Sequence, residues 1–115
     1  MRYVKPSTVI DLRTHGRVIL AEGEVTGHCH EVQAVDPDVD IPAADFFEEP
    51  DGRRVLLVTR PCVLTHQEHG RIALDPDRPV QVRQGEVLLH PLTPGVWAVQ
   101  QQREYQPEAV RMVAD

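Results

Sequence analysis

Arg17-Val18-Ile19-Leu20-Ala21-Glu22-Gly23-Glu24-Val25-Thr26-Gly27-His28-Cys29-His30-Glu31-Val32 is the stretch on which the fold turns. Its residues favour a pleated, half-buried backbone: β-branched Val, Ile and Thr recur, and the only interruptions are Gly23 and Gly27. Arg17–Val25 reads as one strand and Thr26–Val32 as its continuation past Gly27. Working outward, Arg53–Thr59 is a short apolar run between Asp51-Gly52 and Pro61, the pattern of a buried strand. Further strands are expected at Cys62–Thr65, Arg71–Leu74, Val80–Gln84, Glu86–His90 and Val96–Tyr105. Turn signals separate them at Pro50-Asp51-Gly52, Asp75-Pro76-Asp77, Gln84-Gly85 and Thr93-Pro94-Gly95. Many short strands at this spacing predict an all-β barrel or sandwich, with one short helical turn in Pro107–Ala114. Ten prolines and seven glycines in 115 residues leave no room for a helical bundle.

The length suits a single domain over residues 1–115. No apolar run exceeds four residues, as in Val18–Ala21 and Val55–Val58, so no helical membrane span is expected. Met1–Pro6 lacks the apolar stretch of a secretion signal, which points to a cytoplasmic protein. Its two cysteines, Cys29 and Cys62, then read as reduced thiols. A net charge of −6 argues against a nucleic-acid surface. Asp36–Asp51 carries Asp36, Asp38, Asp40, Asp45, Glu48, Glu49 and Asp51 among three prolines, without alternation. It is expected to be an acidic surface loop over 36–52, with Phe46-Phe47 against the body or covering a cavity mouth. The Asp36, Asp38, Asp40 spacing opens like a calcium loop, but the sixth position is Ile41 and the twelfth Phe47.

The six histidines are the unusual feature. In a strand, His28 and His30 project from one face while Cys29 turns away. Two imidazoles so placed can converge on one ion. In Thr65-His66-Gln67-Glu68-His69-Gly70, His66 and His69 are three apart and come to one side of a turn, with Glu68 between them as ligand or proton acceptor. One histidine alone is usually a solvated polar residue; two tight clusters in β-segments predict a shared metal site. His15 is taken as structural, and His90, at a strand end before Pro91, as a reserve ligand. In the last strand, Trp97, Val99, Gln101, Arg103 and Tyr105 share a face that begins apolar and ends polar. Arg103 is there a candidate anion clamp and Tyr105 a candidate hydrogen-bond donor.

Gly23–Glu31, followed after a long gap by the second histidine cluster, resembles the cupin superfamily. The resemblance implies a small double-stranded β-helix barrel with a metal held inside, the H-x-H pair falling on His28 and His30. Where cupins place a glutamate after the pair, this chain has Gln33, Ala34 and Val35, and Thr93-Pro94-Gly95 is followed by no histidine. The remaining ligands would therefore come from His66, Glu68 or His69. The same segments also resemble small uncharacterised bacterial and phage proteins.

Together these readings predict one divalent transition-metal ion, zinc first, with nickel, iron, manganese or copper as alternatives. His28, His30, His66 and His69 are the expected ligands, and Glu68, Arg103 and Tyr105 the expected catalytic groups. An open site would permit hydration, hydrolysis or oxygen chemistry on a small anionic substrate. The alternative is a non-catalytic β-domain acting as a binding or assembly module, its exposed strand edges serving homo-oligomer formation.

Overall fold

A computed structural model describes residues 3–22, 27–36 and 42–102. Among them are ten strands and no helix: β1 (Ile10–Asp11), β2 (Val18–Glu22), β3 (Cys29–Ala34), β4 (Ala44–Glu48), β5 (Arg54–Val58), β6 (Cys62–His66), β7 (Gly70–Leu74), β8 (Val82–Gln84), β9 (Val87–Thr93) and β10 (Val96–Gln101). They form two antiparallel sheets, one ordered β1-β4-β5-β10-β9-β8 and the other β2-β3-β6-β7. The all-β sandwich expected from strand length and turn spacing is the fold observed. Sequential hairpins stay within one sheet, β2–β3 and β6–β7 in the smaller, β4–β5 and β8–β9–β10 in the larger. The chain therefore changes sheet between hairpins, and its pairings β3–β6 and β5–β10 are long-range.

The main core lies between the sheets. Leu20, Val32 and Leu64 from the small sheet meet Phe46, Leu56, Val87, Leu89 and Trp97 from the large one. Each such side chain removed from water contributes about 1.5–3 kcal/mol. Trp97 is fully buried, and its indole N–H donates to the Val80 carbonyl at 2.8 Å. The β5 run Val55-Leu56-Leu57-Val58 is continuously apolar because the large sheet is covered on both faces. Leu56 and Val58 enter the main core, while Val55 joins Phe47 and Val96 in a second cluster against Tyr3 and Val9.

The expected acidic loop over 36–52 needs correction. Ala44–Glu48 within it is strand β4, paired to β5 and β1, with Phe46 and Phe47 both buried. Alternation is hidden there because both faces of β4 are covered. Phe46 fills the main core, whereas Phe47 packs in the second cluster and Lys5 sits over its ring at 4.6 Å. Acidic residues in this strand find cations: Asp45 meets Lys5 at 2.6 Å and Arg13 at 3.6 Å. The face of β10 expected to line a pocket also differs, since Trp97 and Val99 belong to the main core and Gln101 is exposed. Arg103, Tyr105 and the helical turn expected at Pro107–Ala114 lie outside the described residues. No helix among the described residues is long and apolar enough to cross a membrane.

Candidate functional site

The two histidine clusters meet because of strand register. In the β3–β6 ladder Glu31 pairs with Thr65 and Val32 with Leu64. Continuing that antiparallel register sets His30 opposite His66 and His28 opposite Glu68. The contacts agree. The His30 and His66 ring centroids are 4.2 Å apart, and His28 Nδ1 lies 3.3 Å from a Glu68 carboxylate oxygen. On the other side, a bulge in β2 places both Ile19 and Ala21 against the consecutive pair Glu31 and His30. The extra residue leaves Leu20 and Ala21, consecutive in the strand, both buried.

The β6–β7 hairpin brings the fourth ring. His66 pairs with Gly70, whose φ of 83° lets the chain re-enter the ladder. His66 Nδ1 accepts hydrogen bonds from the backbone N–H groups of Glu68 at 3.0 Å and His69 at 3.3 Å, and so caps the turn. Gln67 ties the same tip to β3 by accepting from the Cys29 N–H at 2.9 Å. His69 then lies 4.6 Å from His66 and 5.9 Å from His30, centroid to centroid. His28 completes the group at 5.9 Å from His66.

The large sheet supplies two further residues, from the end of β8 and the turn into β9. Gln84 is buried, and its Nε2 donates to the carbonyls of Leu64 at 3.1 Å and Gly70 at 2.9 Å. With the amide nitrogen so placed, its Oε1 must accept, and it faces His30 Nδ1 at 2.8 Å. That fixes the proton of His30 on Nδ1. Nε2 of the same ring meets Glu86 Oε1 at 2.6 Å. A ring nitrogen and a carboxylate oxygen that close share a positive species, a proton in this case. His30 is fully buried, and its two contacts cross from one sheet to the other.

Turn chemistry places Glu86. Gln84-Gly85-Glu86-Val87 is a two-residue hairpin, with Gly85 at φ 58° in its first central position. A Cβ at Gly85 would stand 2.7 Å from His69 Nε2, so the glycine also lets the imidazole pack against the turn.

Electrostatics follow from this crowding. Burial acts to raise the Glu86 carboxyl, but its own backbone hydrogen bond and the facing His30 hold it below the ordinary carboxylate value. His66 is pushed below the ordinary imidazole value by burial first, then by the charges of His30 and His69. In this arrangement His30 and His66 are tilted by only 33° from coplanar stacking. Among the described residues, no three His, Cys, Asp or Glu side chains converge as ligands on one point.

Sequence reasoning named His28, His30, His66, His69 and Glu68, and the fold brings all five together. It missed Gln84 and Glu86. One signal was present: Gly85-Glu86-Val87-Leu88-Leu89-His90 echoes the G-E-V-x-x-H of Gly23–His28. His90, the reserve ligand, is elsewhere, with Nε2 beside Gln100 Oε1 at 3.1 Å. His15 sits in the Thr14–Arg17 hairpin turn with φ 52° ahead of Gly16 at φ 78°, away from the clustered imidazoles.

No curated protein and no solved structure compared with the chain matches it. A family model does match, over residues 2–77, a span that holds all four clustered histidines and stops short of Gln84 and Glu86. By that match the chain belongs to the family described as domain of unknown function DUF8820.

Proposed function

We propose that this β-sandwich is a metal-binding protein, with one divalent transition-metal ion held at the open end where β3, the β6–β7 turn and the β8–β9 turn meet. The observation that carries the reading is the fixed orientation of the His30 ring. A buried amide, itself held by two carbonyls, keeps the proton on Nδ1 and turns Nε2 toward a carboxylate. Metal-ligating histidines are oriented in this way, by a hydrogen bond to the nitrogen away from the ion.

The donor chemistry fits. His30 Nε2 and Glu86 offer one nitrogen and one oxygen to the same point, and a tetrahedral ion bound at about 2.0–2.2 Å to each needs them nearly an ångström farther apart than the present 2.6 Å. His69, exposed at the hairpin tip, and His28, half-buried beside Glu68, are the further imidazoles such an ion would recruit. Nitrogen and oxygen donors of this kind suit zinc, nickel, iron, manganese or copper. A bound ion would supply Lewis acidity to a small substrate. Glu68, exposed and next to His28, is the residue placed to take or return a proton. The two thiols are free, which fits a cytoplasmic setting.

Metal content of untagged protein, purified without added metal and then titrated with zinc and cobalt, tests the reading. One equivalent bound in the wild type and loss of binding in His30→Gln are the expected results. A wild type that binds neither ion at micromolar concentration overturns the proposal.

A further inference from the structure

Two of the clustered imidazoles have their Nδ1 atoms committed to opposite roles, a donor in His30 and an acceptor in His66, and this separates their functions. Gln84 commits His30 to a proton on Nδ1. The backbone N–H groups of Glu68 and His69 both point at His66 Nδ1, which must therefore present its lone pair to them. Neutral His66 carries its proton on Nε2. Binding a metal through Nε2 would force the proton onto Nδ1, against two amide hydrogens, and open the turn that His66 caps. Among the described residues no side chain or carbonyl accepts from Nε2, although the ring lies amid His28, His30 and His69 and is only partly buried.

We infer that His66 is the ligand-recognising residue of the site, a fixed Nε2–H donor that holds a small oxyanion such as a carboxylate, and not itself a metal ligand. The inference rests on the metal reading, because the Glu86 and Glu68 carboxylates beside His66 would repel an anion and a divalent ion cancels that charge. A neutral donor of fixed direction beside a cation matches one oxygen of such a group, and the half-open position of the ring leaves it a way in.

Asparagine separates the two roles. His66→Asn keeps an acceptor where Nδ1 now caps the turn, because an Asn carbonyl makes the same local bond to following amides. It removes Nε2 altogether. Three measurements follow: imidazole nitrogen NMR on the metal-free protein, cobalt affinity, and acetate titration of the cobalt-loaded visible spectrum. The expected results are a protonated Nε2 on His66, cobalt affinity within about threefold of wild type, and acetate affinity lowered about tenfold, the worth of one charge-assisted hydrogen bond. A proton found on Nδ1 overturns the inference, as does loss of cobalt by more than about a hundredfold in His66→Asn, which would make it a ligand. Unchanged acetate affinity in a loaded variant overturns it too and leaves the metal reading standing. Failure of the wild type to take cobalt defeats that reading itself and this inference with it.

Discussion

The buried imidazole of His30 and the carboxylate of Glu86 meet at 2.6 Å across the two sheets of the sandwich. One comes from the start of β3 and the other from the β8–β9 turn, more than fifty residues later. A fully buried imidazole is tolerated only when both ring nitrogens are satisfied, and Gln84 satisfies the one that Glu86 does not.

Removing Gln84 tests that dependence. Gln84→Leu strips partners from His30 Nδ1 and from the Leu64 and Gly70 carbonyls. Each stranded buried group costs about 1–3 kcal/mol, so the variant should lose several kcal/mol in urea denaturation. Neighbouring Arg83→Gln, on an exposed side chain, should lose under about 0.5 kcal/mol. Equal losses in the two would refute the bridging role.

For the metal reading, His28→Ala combined with His30→Ala should abolish cobalt or zinc binding, and the wild type should gain thermal stability on adding the ion while the variant does not. His15→Ala, at a turn remote from the cluster, should bind metal like the wild type. Full stoichiometry in the double variant would end the assignment.

A subtler change is Gly85→Ala. Its methyl would stand 2.7 Å from His69 Nε2 and so drives that side chain away, while a φ of 58° costs an alanine about 1–2 kcal/mol. The expected outcome is a folded protein with metal affinity reduced several-fold. Unaltered affinity would remove His69 from the ligand set.

Alkaline stability should depend on Tyr3. Burial, then its hydrogen bond to Glu49, pushes the phenol up from 10.0 to about 12. Because the folded value is raised, the contribution is complete below pH 10 and is lost as pH climbs from there through about 12. Tyr3→Phe should therefore be less stable than wild type at neutral pH and flatter between those limits. Parallel denaturation curves across that window would contradict this.

The thiols should differ in reactivity. Burial raises the Cys62 thiol to about 11, and it donates toward the Arg60 carbonyl at 3.2 Å. Cys29 is only partly buried. Iodoacetamide at neutral pH should label the native protein at Cys29 alone and both sites once it is unfolded, as read by mass spectrometry.

Much of the site was legible as residue types. Alternation put His28 and His30 on one face, and spacing put His66 and His69 on one turn; those are local consequences of backbone period. Gln84 was not legible, and Glu86 only through the G-E-V-x-x-H echo, because the turn residues of Gln84-Gly85-Glu86 do not distinguish a solvent hairpin from one folded against another sheet. The β4 strand was hidden for a related reason. Its Phe46 and Phe47 are buried on opposite faces, so the alternation that reveals a one-sided strand is absent.

By itself, then, the sequence determined the all-β class, most strand positions and the two imidazole clusters, since these follow from side-chain period, turn residues and β-propensity acting over a few residues. Tertiary structure decided which clusters meet and which partner each ring nitrogen faces. The β3–β6 register sets His30 opposite His66, and the packing of one sheet on the other delivers Gln84 and Glu86 to the same imidazole. Such pairings depend on long-range ladders and on where buried amides find carbonyls, quantities that no local pattern encodes.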